Sequence, residues 1–438
     1  MTPADGRQEG RALRKQVPRA SHAGWTPPRS RRDPVKILVA QEKDRVKELV
    51  PVRHQRMAQS AFTFLRGAAA VMAADLAATP TSGIIVQACG DAHLMNFGVY
   101  ASPERDLLFD VNDFDETLPG PWEWDVKRLT ASLVVAAQGN GFATEDCRHI
   151  AEQAAASYRT QLGAFAGMTD QEVFYSRLNA SSVLRTINSA QERRQTRKTF
   201  KADTQRTSLQ AYNKLCTTVD GKVRIKDDPP LVTHEDVDEI EATLRAYKAT
   251  LHEDVELLLD RYTMLDYARK VVGVGSVGTR CYIGAFQGSS DRDVLMLQVK
   301  EAQHSVLEPY TRRSVYRNQG RRVVAGQRKM QAASDVFLGY CAGPDGRDYY
   351  WRQLRDMKGS ADIAAMTAAE LGSYGAACAW TLALAHANTG DRFQIAGYLG
   401  TGTVFDGAIG EFALGYAEQN AADYGAFKQA IADGALKE

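Results

Sequence analysis

Residues 90–96 read Gly-Asp-Ala-His-Leu-Met-Asn, and residues 113–115 read Asp-Phe-Asp. An apolar run at 84–86 predicts a buried strand that leads into the first stretch. Between the two stretches, residues 97–111 carry two short apolar segments around a turn, a pattern that predicts a β-hairpin. The two polar stretches therefore fall at the two ends of one hairpin, where they can meet.

Three side chains at these ends carry possible chemistry: Asp91, Asn96 and Asp113. Carboxylate and amide oxygens suit Mg²⁺, which usually coordinates phosphate as well. An aspartate that does not bind the metal can accept a proton from a hydroxyl nucleophile. Because Asp and Asn are also common turn residues, the hairpin alone leaves a purely structural role open.

A second informative stretch is the glycine-rich segment 273–278, which contains Gly273, Gly275, Ser276 and Gly278. Its glycine spacing fits both a dinucleotide site and a loop that covers phosphates. A dinucleotide fingerprint needs a helix directly after the glycines, whereas residues 280–286 continue as a predicted strand. The segment therefore predicts a flexible flap between two strands, whose backbone N–H groups can cover phosphates.

The two ends of the hairpin resemble the catalytic loop and metal-binding segment of the aminoglycoside and choline phosphotransferases, within the protein-kinase-like superfamily. This resemblance implies that Asp91 is the catalytic base and that Asn96 and Asp113 hold Mg²⁺. Asp125, in Trp-Glu-Trp-Asp, resembles the aspartate that opens the next helix and supports the catalytic loop. The same resemblance gives supporting positions to His93 and Asp115.

The resemblance extends to the nucleotide. It implies that the glycine-rich segment covers the phosphates of ATP and that Lys300, at the end of a predicted strand, contacts the α and β phosphates. Glu308 is the candidate carboxylate partner of Lys300, with Gln327 as a neutral alternative. The resemblance also implies that Gln353 and Leu354 belong to the hinge whose backbone binds adenine.

The order of these motifs is reversed, because Gly273 follows Asp91 by 182 residues. Coincidence, fused half-sites or circular permutation could each explain this order, and permutation explains most of the motifs. We therefore predict an α+β, protein-kinase-like, two-lobed fold with the helical C-lobe first. The predicted segments are a disordered basic tail (1–35), the C-lobe with its catalytic hairpin (36–265), the β-rich nucleotide-binding N-lobe (266–356) and C-terminal helices that pack on the C-lobe (357–438).

The chain also resembles an uncharacterised bacterial family catalogued as domain of unknown function 2252. The resemblance covers nearly everything after residue 36 and includes the stretches 297–302, 305–310 and 326–328. It implies no activity, so the kinase-like interpretation depends on the motifs.

The amino-acid composition limits the classes of partner that we expect. The 438 residues carry 54 Lys+Arg and 53 Asp+Glu, so no global field favours nucleic acid or a membrane surface. The basic tail is the one segment that could contact nucleic acid. No apolar stretch is long enough to span a membrane, and the six cysteines lie far apart without a CxxC motif, so we expect a cytoplasmic protein with buried free thiols.

A rival catalytic loop runs from His386 to Asp391, after a long predicted helix. No second aspartate follows in residues 393–398, so we predict a helix C-cap there, with Gly390 in the left-handed conformation. His386 could still line the cleft, and the role of Asp391 stays open.

The motifs thus predict an ATP- and Mg²⁺-dependent phosphotransferase that acts on a small hydroxyl-bearing acceptor. The sequence leaves two alternatives open. One is transfer of AMP, with ATP reversed in a kinase-like cleft. The other is a pseudokinase that binds nucleotide without catalysis.

Overall fold

The fold combines long helices with one large sheet, and the computed structural model describes residues 2–186, 190–204, 207–234, 238–354, 357, 359 and 361–437. This mixture of helix and strand confirms the α+β class. Three residues that bound predicted segments, Met1, Asp356 and Glu438, lie outside the described residues.

The described helices are α1 (Pro3–Leu13), α2 (Pro34–Ala40), α3 (Val50–Met57), α4 (Ala61–Gly67), α5 (Ala69–Leu76), α6 (Trp122–Gly139), α7 (Thr144–Phe165), α8 (Asp170–Tyr175), α9 (Ala180–Thr186), α10 (Ala190–Asp203), α11 (Ser208–Leu215), α12 (Asp238–Lys248), α13 (Glu253–Leu259), α14 (Gln319–Met330), α15 (Ala368–Thr389), α16 (Arg392–Leu399) and α17 (Val404–Ala432).

The described strands are β1 (Ile85–Ala88), β2 (Phe97–Ala101), β3 (Leu107–Val111), β4 (Leu118–Pro121), β5 (Cys216–Val219), β6 (Lys222–Ile225), β7 (Val232–Thr233), β8 (Thr263–Lys270), β9 (Cys281–Gln287), β10 (Val294–Glu301), β11 (Gly339–Ala342) and β12 (Asp348–Gln353).

The predicted hairpin is confirmed. Strands β2 and β3 pair antiparallel, with Phe97 opposite Val111 and Ala101 opposite Leu107. Beyond the open end of the hairpin, the N–H of Asn112 donates to the carbonyl of Asn96 at 2.8 Å. The pairing therefore brings the two polar stretches of the sequence side by side.

The large sheet has the strand order β11-β12-β10-β9-β8-β7, with every pairing antiparallel. The glycine-rich segment connects β8 to β9, as predicted, and β10 ends at Glu301, just beyond Lys300. All eight residues of β10 are buried, because this central strand is covered on both faces.

The sheet draws in residues that come before its predicted start at 266. Strand β8 begins at Thr263, and Ala211 of α11 packs with Met296 and Ile283 on one face of the sheet. On the other face, Tyr247 of α12 stacks on Trp351 of β12, with ring centroids 4.6 Å apart. These apolar contacts join α11 and α12 to the sheet, so the predicted boundary at 265/266 falls too late.

The hairpin rests on a core of long helices. Helices α6, α7, α15 and α17 contribute to one apolar cluster that also contains the hairpin residues Phe97 and Val111. Within it Trp122 of α6 stacks on Tyr158 of α7, with ring centroids 5.5 Å apart. Because this cluster is tightly packed, the stretch that carries Asp91 sits on a rigid base.

Residues 2–35 are ordered, which corrects the prediction of a disordered tail. Helix α1 packs along α16, and Arg14 and Arg19 donate to the carbonyls of Gly397 (2.5 Å) and Leu399 (2.6 Å). The last carbonyls of a helix lack partners within the helix and favour positive groups. Arg14 and Arg19 therefore cap the C-terminal end of α16.

The α1–α16 contact gives a stability prediction. A Cβ at Gly10 would lie 1.9 Å from the carbonyl oxygen of Gln394, whereas a Cβ at Gly163, within α7, would meet nothing within 4 Å. We expect Gly10→Ala to cost about 1–3 kcal/mol of unfolding free energy by overpacking. Gly163→Ala, the matched control, should leave stability unchanged or raise it by up to about 1 kcal/mol. Thermal unfolding of both variants measures this, and equal midpoints would contradict the α1 docking.

The cysteines and the apolar character of the helices are also covered by the sequence predictions. All six cysteines are free and buried, which confirms the thiol prediction. Among the described residues, none of the helices has the length and apolar character needed to cross a bilayer.

Candidate functional site

The loop that carries Asp91 is held from below by Asp125, in the first turn of α6. The carboxylate of Asp125 accepts the backbone N–H groups of Cys89 (2.6 Å) and Gly90 (2.9 Å). It also lies 3.2 Å from Nε2 of His386, whose Nδ1 pairs with the hydroxyl of Tyr158. Asp125 and His386 are fully buried, so His386 supports the loop and does not line the cleft.

Asp91 itself points into the cleft and is paired on one oxygen. Arg128, buried in α6, donates to Asp91 Oδ1 through Nε (3.0 Å) and Nη2 (2.8 Å). Nε2 of His93 lies 3.9 Å from the other oxygen, Oδ2. Burial lowers the pKa of His93 to about 4, so this ring is neutral at pH 7. Asp91 is thus oriented by Arg128, with Oδ2 on the opposite side of its carboxylate.

Asn96 and Asp113 lie at the two ends of the hairpin, next to Asp91. Nδ2 of Asn96 donates to the carbonyl of Asp91 at 2.7 Å, which fixes the amide and leaves Oδ1 as its ligand atom. Oδ1 of Asp113 accepts the N–H of Asp115 at 3.2 Å, so the carboxylate is held by its own turn. The local sequence alone brings these groups together.

Lys300 reaches this group from β10. Its Nζ lies 3.6 Å from Oδ2 of Asp113 and forms an ion pair with Oδ2 of Asp115. Burial lowers the pKa of Lys300, but Asp113 and Asp115 outweigh that effect, and the net pKa lies well above the usual range. Asp115 also accepts hydrogen bonds from Tyr350 (2.6 Å) and Ser276 (3.3 Å). Residues far apart in the chain therefore converge on one charged cluster.

A buried arginine fixes the segment that follows Asp113. Arg322 of α14 donates to the carbonyls of Asp115 (2.8 Å), Thr117 (2.7 Å) and Gln303 (2.7 Å). Between the first two, the side chain of Glu116 accepts the N–H of Val306 at 2.7 Å. Burial raises the pKa of Glu116 to about 7. These bonds tie the hairpin end to the chain beyond β10 and keep the Lys300 cluster in register.

The glycine-rich segment lies over the cleft but is pinned, which corrects the prediction of a flexible flap. Val46 donates its N–H to the carbonyl of Gly278 at 2.8 Å, and Arg45 donates Nη1 to Val277 O at 2.5 Å. Arg56 donates to the carbonyl of Gly273 at 2.6 Å. Arg45 and Val46, between α2 and α3, and Arg56 of α3 therefore hold the two ends of the segment.

Two glycines of the segment need their conformation. Gly273 and Gly278 have φ values of +69° and +89°, in the region that favours glycine. Gly273, Gly275 and Ser276 line the cleft together with Asp91, Asn96 and Asp113. Gly278 lies apart from that lining and serves the anchor to Val46.

Glu308 does not contact Lys300, which corrects its predicted role. Its carboxylate pairs with His304 and accepts the N–H of Ser314 at 3.2 Å, within a short helical turn ahead of α14. Lys300 instead pairs with Asp113 and Asp115. Asp113 and Asp115 therefore balance the charge of Lys300, a role that the resemblance assigned to Glu308.

The backbone N–H groups of the predicted hinge residues are already hydrogen-bonded within the protein. The N–H of Gln353 donates to Oδ2 of Asp335, and that of Leu354 donates to the carbonyl of Met296 at 2.8 Å. These two N–H groups are therefore not available to adenine, while a contact of adenine with the other backbone groups of the hinge stays a prediction. The side chain of Gln353 lines a separate cavity of about 430 Å³, while Leu354 packs against the apolar cluster under α11.

The rival loop is structural. Asp391 caps α16 by accepting the N–H groups of Phe393 and Gln394, each at 2.9 Å. Helix α15 ends at Thr389, as a C-cap requires, but Gly390 has an extended φ of −124°. A Cβ there would lie 2.6 Å from Val86, so close packing and not a left-handed turn explains this glycine.

The donor set fits Mg²⁺ bound with phosphate. Within the described residues no cluster of three or more His, Cys, Asp or Glu side chains forms a metal cage. Asp113 and Asn96 supply one carboxylate and one amide oxygen, and Mg²⁺ is usually held by one or two carboxylates plus substrate phosphates and water. The cavity lined by these residues holds about 120 Å³, which suits a phosphate end more than a whole nucleotide.

Sequence reasoning missed the arginines of this site, which are Arg45, Arg66, Arg128 and Arg322. They lie in helices and loops with no shared spacing, so no motif marks them. A weak signal for Arg128 was available, because it follows Asp125 by three residues and so lies on the same side of α6.

Comparison with known protein families identifies the family of the chain. A family model described as an uncharacterized protein conserved in bacteria, DUF2252, matches residues 45–430. The chain therefore belongs to this uncharacterized bacterial family. No curated protein and no solved structure is significantly similar to it.

Proposed function

We propose that the cleft transfers the terminal phosphoryl group of Mg²⁺-bound ATP to a small hydroxyl-bearing acceptor. The observation that carries this proposal is the 3.6 Å distance between Lys300 and Asp113, in a cleft that also holds Asp91 and Asn96. A lysine from a strand beside a metal-binding aspartate is the arrangement that phosphoryl transfer uses to bind phosphates.

The order of elements around Lys300 supports the nucleotide half of the proposal. Strand β8, the glycine-rich segment, β9, β10 with Lys300 and then α14 follow one another. In protein kinases a glycine-rich loop covers the phosphates and the lysine lies on the third strand, ahead of a helix. A circular permutation of the kinase-like fold explains why this run follows the catalytic loop here.

The surroundings of Asp91 support the second part of the proposal, transfer to a hydroxyl-bearing acceptor. Arg128 holds its Oδ1, and Oδ2 is the atom left to accept a proton from a hydroxyl group in the cleft. Such a base contributes on the order of 10²–10⁴-fold to a rate. Asp125, through Cys89 and Gly90, keeps the loop backbone in place during that transfer.

The number of carboxylates in the cleft also favours a bound metal. Asp91, Asp113, Asp115 and Glu116 line it together with Arg45 and Arg66. Lys300 pairs with Asp113 and Asp115, and Arg128 pairs with Asp91. When bound, Mg²⁺ would supply charge that screens these carboxylates from the phosphates.

Calorimetric titration of the full chain with ATP tests the proposal. We expect binding with Mg²⁺ present and a loss of about tenfold or more when EDTA removes it. Lys300→Met should weaken the binding further, because Lys300 would contact phosphate. Absence of ATP binding by the unchanged protein, or binding indifferent to Mg²⁺ and to Lys300, would overturn the proposal.

A further inference from the structure

Arg66, in the last turn of α4, is a cation of the cleft that has no role in the proposed reaction. Its side chain lines the cleft with Asp91, Asn96 and Asp113. Its Nε is buried and has no hydrogen-bond partner among the described residues. A buried guanidinium nitrogen without a partner is costly, so this group calls for a ligand.

The other cations of the cleft are already engaged. Lys300 pairs with Asp113 and Asp115, while Arg128 holds Asp91 from α6. Arg45 donates to the glycine-rich segment. The Nε of Arg45 is also without a partner, but its Nη1 is bound. Of these four cations, Arg66 is the one for which the described residues show no side-chain hydrogen bond or ion pair.

The backbone around Arg66 is held in place from three sides. Arg128 donates to the carbonyl of Leu65 at 2.7 Å, and Arg53 donates to that of Gly67 at 3.0 Å. The carbonyl of Arg66 itself lies 3.1 Å from where a Cβ on Gly275 would be, so the glycine-rich segment packs directly on it. Because Arg128 binds both Leu65 and Asp91, the end of α4 is fixed relative to the proposed base.

The charged groups around Arg66 place it on the Asp91 and Asp113 side of the cleft. Burial lowers the pKa of Arg66, and the negative charges of Asp91 and Asp113 act against that effect. In the proposed reaction the transferred phosphoryl group lies between the base, Asp91, and the metal ligand, Asp113. The α and β phosphates lie toward Lys300.

Resting on the proposed function, we propose that Arg66 binds the γ-phosphate of ATP and so makes the cleft specific for a nucleoside triphosphate over the diphosphate. A guanidinium binds phosphate through a planar pair of N–H donors, which a lysine cannot reproduce. An arginine facing the transferred group also stabilises the charge that it carries in transfer.

Titration calorimetry with Mg²⁺–ATP and Mg²⁺–ADP, on the full chain, tests this assignment. Arg66→Gln should weaken ATP binding by about 10–100-fold and ADP binding by less than about twofold, because a charged hydrogen bond is lost only with ATP. Arg261→Gln, at an exposed position after α13, is the matched control and should change neither. Arg66→Lys keeps the charge and should lose part of the ATP preference.

The outcomes separate the two proposals. Equal weakening of ATP and ADP, or no change in either, would overturn the assignment of Arg66 while the phosphotransferase proposal stands. Failure of the unchanged protein to bind either nucleotide would overturn the proposed function itself. Should Arg66→Gln not fold, Arg66→Lys gives the same comparison, and an unchanged ratio of ATP to ADP affinity in that variant would refute the γ-phosphate contact.

Discussion

Replacing Asp91 by Asn should reduce phosphoryl transfer by on the order of 10²–10⁴-fold while Mg²⁺–ATP binding stays within about twofold. The amide keeps the shape of the side chain and can still accept from Arg128, whose bonds go to Oδ1. It cannot take a proton from an acceptor hydroxyl, because an amide is not a base at neutral pH. The change therefore separates chemistry from binding.

The readout is turnover of ATP together with calorimetric affinity on the same preparations. Asp106→Asn, an exposed aspartate in the turn of the hairpin, is the matched control and should behave as the unchanged protein. Equal thermal midpoints for the two variants would show that Asp91→Asn still folds. Full activity in Asp91→Asn would remove Asp91 as the base.

The second large effect concerns the metal. Replacing Asp113 by Asn should weaken Mg²⁺-dependent ATP binding by about 100-fold or more, since a ligand of the ion would lose its charge. Asp115, two residues away, has Lys300 and Ser276 on one oxygen and Tyr350 on the other. Both oxygens of Asp115 are thus held by protein groups, and the kinase-like resemblance assigns the metal to Asp113.

The matched control is therefore Asp115→Asn, which keeps acceptor oxygen and removes one charge. We expect it to retain Mg²⁺ dependence, whereas Asp113→Asn loses it. Titrations at several Mg²⁺ concentrations measure both variants. If Asp115→Asn lost the Mg²⁺ dependence and Asp113→Asn kept it, the ligand assignment would be reversed.

The parts of the site that sequence predicted are those set by local chain geometry. Asp91, Asn96 and Asp113 meet because a short hairpin brings its ends together, and alternation of apolar residues marks such a hairpin. Lys300 was predicted through a motif, since no local pattern could bring β10 to a hairpin 185 residues away.

The failures have physical causes. Glu308 was predicted because the resemblance pairs the strand lysine with a glutamate of the next helix, but Asp113 and Asp115, just after the hairpin, pair with Lys300 instead. Arg14 and Arg19 were read as solvated charge because composition does not show which helix ends lack partners. In both cases the sequence shows the charge, while its partner depends on tertiary packing.

The backbone N–H groups of the predicted hinge also depend on tertiary packing. A backbone N–H can bind a ligand only if no protein group accepts it, and Asp335, in the connection between α14 and β11, accepts the N–H of Gln353. The cavity of about 430 Å³ beside Gln353 lies in the size range of small-molecule sites. Asn112 lines this cavity and Asp113 lines the candidate site, so neighbouring residues of one loop contribute to both cavities.

The fate of ATP tests the central claim most directly. Phosphorus NMR of Mg²⁺–ATP incubated with the full chain follows every phosphate at once, with the Asp91→Asn protein as the blank. We predict ADP and inorganic phosphate, with water in place of the unknown acceptor, at a rate that Asp91→Asn lowers. AMP with pyrophosphate, or ATP that stays intact to the level of the blank, would contradict phosphoryl transfer by this cleft.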